Sequence, residues 1–157
     1  MNEHEALIRR FYTAFQQLDY ATMQDCYSDE AVFSDPVFGL LDARQVKAMW
    51  KMLCTNAKNF SLTYSDIQSL DEAYATCQWT ATYTLSKTGR HVVNKIKAHM
   101  QIENGKIIGH TDKFDLWNWS RQALGISGLL FGWSNFMQGK IHKNAKKGLE
   151  KFMALPA

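Results

Sequence analysis

The stretch HVVNKIKAHMQIENGKIIGHTDKFD, residues 91–115, decides the fold. Ile96, Ala98, Met100 and Ile102 alternate with Lys95, Lys97, His99 and Gln101, the period of two that makes one face of a strand apolar and the other polar. Asn104-Gly105 interrupts this alternation with the residue pair that most favours a two-residue hairpin turn, so a second strand runs back from Lys106 to Asp115. Upstream, Thr88-Gly89 marks off a strand over 73–85, and Phe60, Leu62 and Tyr64 alternate with Ser61, Thr63 and Ser65 in a first long strand. The reading is an antiparallel meander of four long strands.

Helices precede it. Leu7, Phe11, Ala14, Phe15 and Leu18 recur at helical spacing and predict an amphipathic helix over 3–18, with a short second helix over 20–27. Asp42 with Gln45 three residues later is a capping-box signature, and Val46, Met49, Trp50, Leu53 and Ala57 carry the stripe of a third helix. Between them a short strand ends near Asp35, because the residue before Pro36 is pushed to extended geometry. Helices followed by a meander give an α+β fold, with N-terminal helices packed on a curved antiparallel sheet and extra helices at the C-terminus.

A chain of 157 residues makes one domain, and 46% hydrophobic and 13% aromatic residues make it a folded, core-rich one. We divide it into an α+β body over 1–125 and an apolar, then basic, helical extension of the same domain over 126–157. The net charge of +3 resides in the tail: from Gln138 on, five lysines face one glutamate, leaving 13 basic and 14 acidic residues elsewhere. A neutral body with a basic tail argues against a nucleic-acid partner. For the tail, the ordinary reading is a solvated face and the alternative is contact with a membrane surface or a partner. Cys26, Cys54 and Cys77 are too scattered for a redox pair or a zinc knuckle, and the polar N-terminus has no apolar core, so the chain reads as cytoplasmic.

Strand alternation puts Ile108, His110, Asp112 and Phe114 on one face of the last strand and Ile107, Gly109, Thr111, Lys113 and Asp115 on the other. His110 and Asp112 are ionisable groups where a purely structural strand would carry aliphatics. Together with YSDEAVFSDPVFG at residues 27–39 and NGKII at 104–108, this order of elements resembles the nuclear transport factor 2-like superfamily over roughly residues 5–125. That group includes ketosteroid isomerases, SnoaL-like polyketide cyclases and limonene epoxide hydrolase. The resemblance implies a cone-shaped fold in which a curved sheet wraps a helix and leaves an apolar pocket open at one end. It also implies a homodimer formed through the exposed sheet face.

The Asp35-Pro36-Val37 segment is similar to the isomerases, whose aspartate there is a general base beside a carbonyl. Phe11 stands where the isomerase carries its oxyanion tyrosine and Ala98 where it carries a protonated aspartate, so steroid isomerisation proper is not expected. The epoxide hydrolase pattern fails for want of a pocket-facing arginine, which leaves the SnoaL-like proteins as the nearest subgroup. The resemblance then implies acid–base chemistry without a cofactor, an isomerisation or cyclisation of a small apolar carbonyl compound. Asp35 is the base, and Asp112 and His110 serve as acid or orienting partner. A carboxylate in an apolar cone is penalised by desolvation and its pKa rises to a useful range.

The walls of such a pocket would be Phe11, Phe15, Met49, Trp50, Trp79, Tyr83, Met100, Phe114 and Trp117. Each residue also has a structural reading: Asp35 as an acceptor for turn N–H groups, His110 and Asp112 as a satisfied buried pair, and the aromatics as core. No metal site emerges, since the five histidines are scattered and His110 with Asp112 supplies two ligands where a catalytic zinc uses three. The alternatives to an enzyme are a binding module for a hydrophobic ligand and a dimerising interaction domain.

Overall fold

The computed structural model describes residues 2–156. Helix α1 (Glu3–Gln16) starts where the Asn2 side chain accepts the Glu5 N–H at 2.8 Å and stops before Leu18, whose φ of 56° lies outside the helical region. Its apolar stripe, Leu7, Ile8, Phe11, Tyr12, Ala14 and Phe15, is buried. Helix α2 (Tyr20–Asp25) is capped by Asp19 and leads directly into β1 (Tyr27–Asp35). A turn at Pro36 returns the chain as β2 (Gly39–Asp42). The Asp42–Gln45 capping box then forms in full, Gln45 N–H to Asp42 at 2.8 Å and Asp42 N–H to Gln45 at 2.9 Å, and opens α3 (Ala43–Thr55).

The meander follows as β3 (Ser61–Ser69), β4 (Tyr74–Thr84), β5 (His91–Glu103) and β6 (Lys106–Lys113). Asn104 and Gly105 take φ of 52° and 74°, the two left-handed positions of a tight hairpin turn. The complete sheet has six strands in the order β2-β1-β6-β5-β4-β3. Its one parallel pairing, β1 with β6, sets Phe33 beside His110 and Ser34 beside Thr111. Thus the strand that ends in Asp35 adjoins the strand that carries His110 and Asp112.

The expected face assignment of β6 is corrected at its start. Gln101 pairs with Gly109 but Ile102 pairs with Ile107, so Ile108 is an extra residue, a bulge. The bulge turns Ile107 into the core, where it is fully buried, and leaves Ile108 half-buried. His110 and Asp112 keep their inward direction on the far side of it.

Beyond the sheet lie α4 (Leu116–Leu124), α5 (Ile126–Phe131) and α6 (Asn135–Met153). Trp119 and Ala123 of α4 and Ile141 of α6 form a small second core with Val92, and Val37, Tyr83 and Phe114 pack against it. Further along α6, Leu149 is buried in the main core and Ala145 and Met153 pack on it. The C-terminal helices therefore cover the end of the sheet at which Asp35 lies. No helix among the described residues is long and apolar enough to cross a membrane.

Candidate functional site

The interior of the cone is built from rings. Phe11 meets Tyr12, Tyr27 and Trp50 edge-on at centroid distances of 5.0, 5.7 and 5.7 Å, and Phe15 meets Trp50 at 5.1 Å. Such contacts each contribute about 0.5–1.5 kcal/mol beyond the area they bury. Phe11, Phe15, Met49, Trp50, Trp79 and Met100, six of the nine wall residues expected from sequence, are all buried in this cluster. The innermost part of the cone is thus filled by its own side chains. Tyr83 and Phe114 are half-buried and pack against the second core beneath α4 and α6. Trp117 stands apart: it is exposed on α4, donates to the Leu129 carbonyl at 3.3 Å and has the Arg121 guanidinium over its ring.

Through the rings runs a continuous line of buried hydrogen bonds. Trp50 Nε1 donates to the Tyr27 hydroxyl at 2.9 Å, the hydroxyl lies 2.7 Å from His110 Nδ1, and His110 Nε2 lies 2.9 Å from Asp112 Oδ1. Trp79 Nε1 approaches the same carboxylate oxygen at 3.4 Å. An indole nitrogen can only donate, so Tyr27 accepts from Trp50 and has its own proton to give. That proton goes to His110 Nδ1, which places the imidazole hydrogen on Nε2, directed at Asp112. Every donor in the line points towards Asp112. Burial pushes the Tyr27 phenol well above its usual pKa, so it remains a donor.

Asp35 is held by its own turn. Its Oδ1 accepts the Val37 N–H at 2.9 Å and the Phe38 N–H at 2.6 Å, the structural role that aspartate before a turn commonly takes. These bonds favour the charged form, but burial outweighs them and, with the Asp112 charge adding to it, raises the carboxyl to about 7. Both readings of Asp35 therefore coexist: one oxygen anchors the turn, and the group still titrates near neutrality. The turn is gripped from outside by α6, where His142 Nδ1 lies 3.2 Å from the Val37 carbonyl and so must donate to it. Gly39, at φ of 69°, leaves the room that the His142 ring occupies.

Three groups at the site were not singled out in the sequence. Tyr27 and His142 are two. The third is Tyr12, whose hydroxyl is fully buried and makes no hydrogen bond, although its phenol feels the Asp112 charge. Tyr12 neighbours Phe11, and Asp112 lies directly across the β5–β6 ladder from Ala98. Among the described residues no group of three or more His, Cys, Asp or Glu could hold a metal ion.

A helix wrapped by a curved six-stranded sheet is the ketosteroid isomerase-like or nuclear transport factor 2-like fold. This chain belongs to the SnoaL-like domain family, whose model matches residues 8–110. It is similar in structure to an LEH-like epoxide hydrolase of M. tuberculosis, at TM-score 0.66 and 18% identity over 82% of this chain and 95% of that one. An NTF2-like protein of unknown function from Burkholderia pseudomallei superposes at TM-score 0.68 with 18% identity, over 78% and 98% of the two chains. A protein with ketosteroid isomerase-like fold from Catenulispora acidiphila, solved in complex with trimethylamine, superposes at 0.65 with 9% identity over 74% and 91%. No curated protein matches the sequence.

Proposed function

We propose that this SnoaL-like protein is a cofactor-independent acid–base enzyme that isomerises, cyclises or hydrolyses a small apolar carbonyl compound. The observation that carries the reading is the Asp35 carboxyl, anchored through Oδ1 and raised to about 7, where it can take a proton and return it at neutral pH. As base, Asp35 removes a proton from the carbon next to the carbonyl. Negative charge then develops on the carbonyl oxygen, and a buried donor without a partner is suited to meet it. Tyr12 is such a donor, and meeting the oxyanion requires the ring cluster around its fully buried hydroxyl to open. The Trp50–Tyr27–His110 line fixes the position of Asp112, whose charge helps to keep the Asp35 proton affinity high. A substrate would reach Asp35 only where the packing of Val37, Tyr83 and Phe114 beneath α4 and α6 opens.

The packed interior favours a second reading, a module that binds a hydrophobic ligand at this mouth without turnover, or a homodimeric interaction domain that uses the outer sheet face. Deuterium exchange separates the two. With 2-tetralone as the probe, an apolar ketone with activated CH groups, the enzyme reading gives exchange above the buffer rate and a loss of about 100-fold or more in Asp35→Asn. Binding of the ketone with no exchange above buffer gives the module reading.

A further inference from the structure

The outer surface of α5 and the start of α6 is the most apolar exposed region of the molecule. Ile126, Trp133 and Phe136 are 76%, 69% and 81% exposed, and Leu129, Leu130 and Phe131 are exposed over about half their surface. These side chains are not loosely hung. Gly128 and Gly132 press against Ser120 of α4 so closely that a Cβ at either position would collide with it. Trp133 Nε1 is bonded to the Leu130 carbonyl at 2.8 Å. The close packing fixes one side of α5 on α4 and turns the apolar side chains outward.

Helix α6 continues this surface with charge. At 100° per residue, Phe136, Lys140, Lys143 and Lys147 fall on one face, while Ile141, Ala145 and Leu149 fall on the opposite face and are packed on the protein. Lys140, Lys143, Lys147 and Lys151 are exposed, and among the described residues no α6 lysine is in an ion pair. Aromatic and branched apolar side chains at one end of a face, followed by a row of free lysines, match the depth profile of a bilayer surface. The apolar groups enter the acyl boundary and the ammonium groups stay among the phosphates.

We propose that α5 and the outer face of α6 form a docking surface for an anionic lipid bilayer. Charge complementarity selects this occupant over a second copy of the chain. Five lysines against the single Glu150 make this segment strongly positive, which complements an anionic lipid layer, whereas a second copy of the same surface brings the same positive charge. The inference is independent of the acid–base chemistry, since none of these residues belongs to the site around Asp35.

The test is flotation of the full chain with vesicles of phosphatidylcholine alone and of phosphatidylcholine mixed equally with phosphatidylglycerol, in low and high salt. Binding to the anionic vesicles, weakened by salt and at least about tenfold tighter than to neutral ones, is expected. Lys140→Glu with Lys147→Glu should weaken it by more than about fivefold per lysine. Trp133→Ser with Phe136→Ser should abolish flotation while the far-ultraviolet circular dichroism stays unchanged, because both side chains are exposed. No flotation of the wild-type chain with anionic vesicles at low salt overturns the proposal. So does flotation that survives the Trp133 and Phe136 substitutions, and so does a light-scattering dimer that these substitutions dissociate in the absence of lipid binding.

Discussion

The Tyr27 hydroxyl lies 2.7 Å from His110 Nδ1 across the parallel β1–β6 pair, and it is the one group that joins the indole of Trp50 to the imidazole. Removing it leaves two buried nitrogens without partners. Tyr27→Phe should therefore destabilise the protein by about 1–3 kcal/mol in denaturant unfolding, the range for stranded buried polar groups. A cost near zero would mean that water or a rotamer change re-satisfies both nitrogens.

Asp35 sets a slope of stability with pH. Its unfolded carboxyl titrates near 4 and its folded one near 7, so between those values the folded state holds more protons and stability falls as pH rises. Three pKa units correspond to about 4 kcal/mol, all of it lost above pH 7. Asp35→Asn keeps an oxygen for the Val37 and Phe38 N–H groups and removes the titration. Relative to wild type, the variant should gain a few kcal/mol in unfolding free energy between pH 4 and pH 8, a trend that urea denaturation at both pH values checks.

Tyr12 separates structural from functional demands. Its hydroxyl has no partner, so Tyr12→Phe should be neutral or stabilising by up to about 1 kcal/mol in the free protein, contrary to the usual result for a buried tyrosine. If the hydroxyl meets the developing oxyanion, the same variant should lose about 100-fold or more in ketone exchange, as oxyanion-hole donors do when removed. Stability and turnover measured on one preparation show whether the two effects move apart.

Gly39 tests the grip of α6 on the Asp35 turn. Its φ of 69° and the adjacent His142 ring both exclude a side chain. Gly39→Ala should cost about 1–3 kcal/mol through the left-handed backbone and the displaced ring together. His142→Ala in the same background should recover the steric share of that cost, which thermal unfolding of the double variant measures.

Much of this molecule was legible one element at a time. The Asn104-Gly105 turn, the Asp42–Gln45 box and the α1 stripe depend on neighbours within a few residues, and each formed as its local chemistry requires. The β1–β6 pairing was not legible, because partners 77 to 80 residues apart leave no periodic trace. The Ile108 bulge defeated the count of two only at the start of β6, where it sends Ile107 rather than Ile108 into the core, while His110 and Asp112 beyond it keep the face assigned to them. Asp35, His110 and Asp112 stood out as ionisable groups in apolar company. Tyr12 and Tyr27 did not, because a phenol on an apolar stripe looks like core until its hydroxyl is followed to a partner or to none. His142 reaches the site from the tail, outside the stretch in which the family pattern resides.

The account depends most directly on the protonation of one carboxyl. Carbon-13 labelling of the aspartate side chains, with the Asp35 resonance assigned by comparison with Asp35→Asn, gives its titration in the intact chain by nuclear magnetic resonance. A midpoint near 7 is the result the account predicts. A midpoint near 4 would show that the Val37 and Phe38 N–H groups hold Asp35 ionised as a structural anchor, and the acid–base function would fall with it.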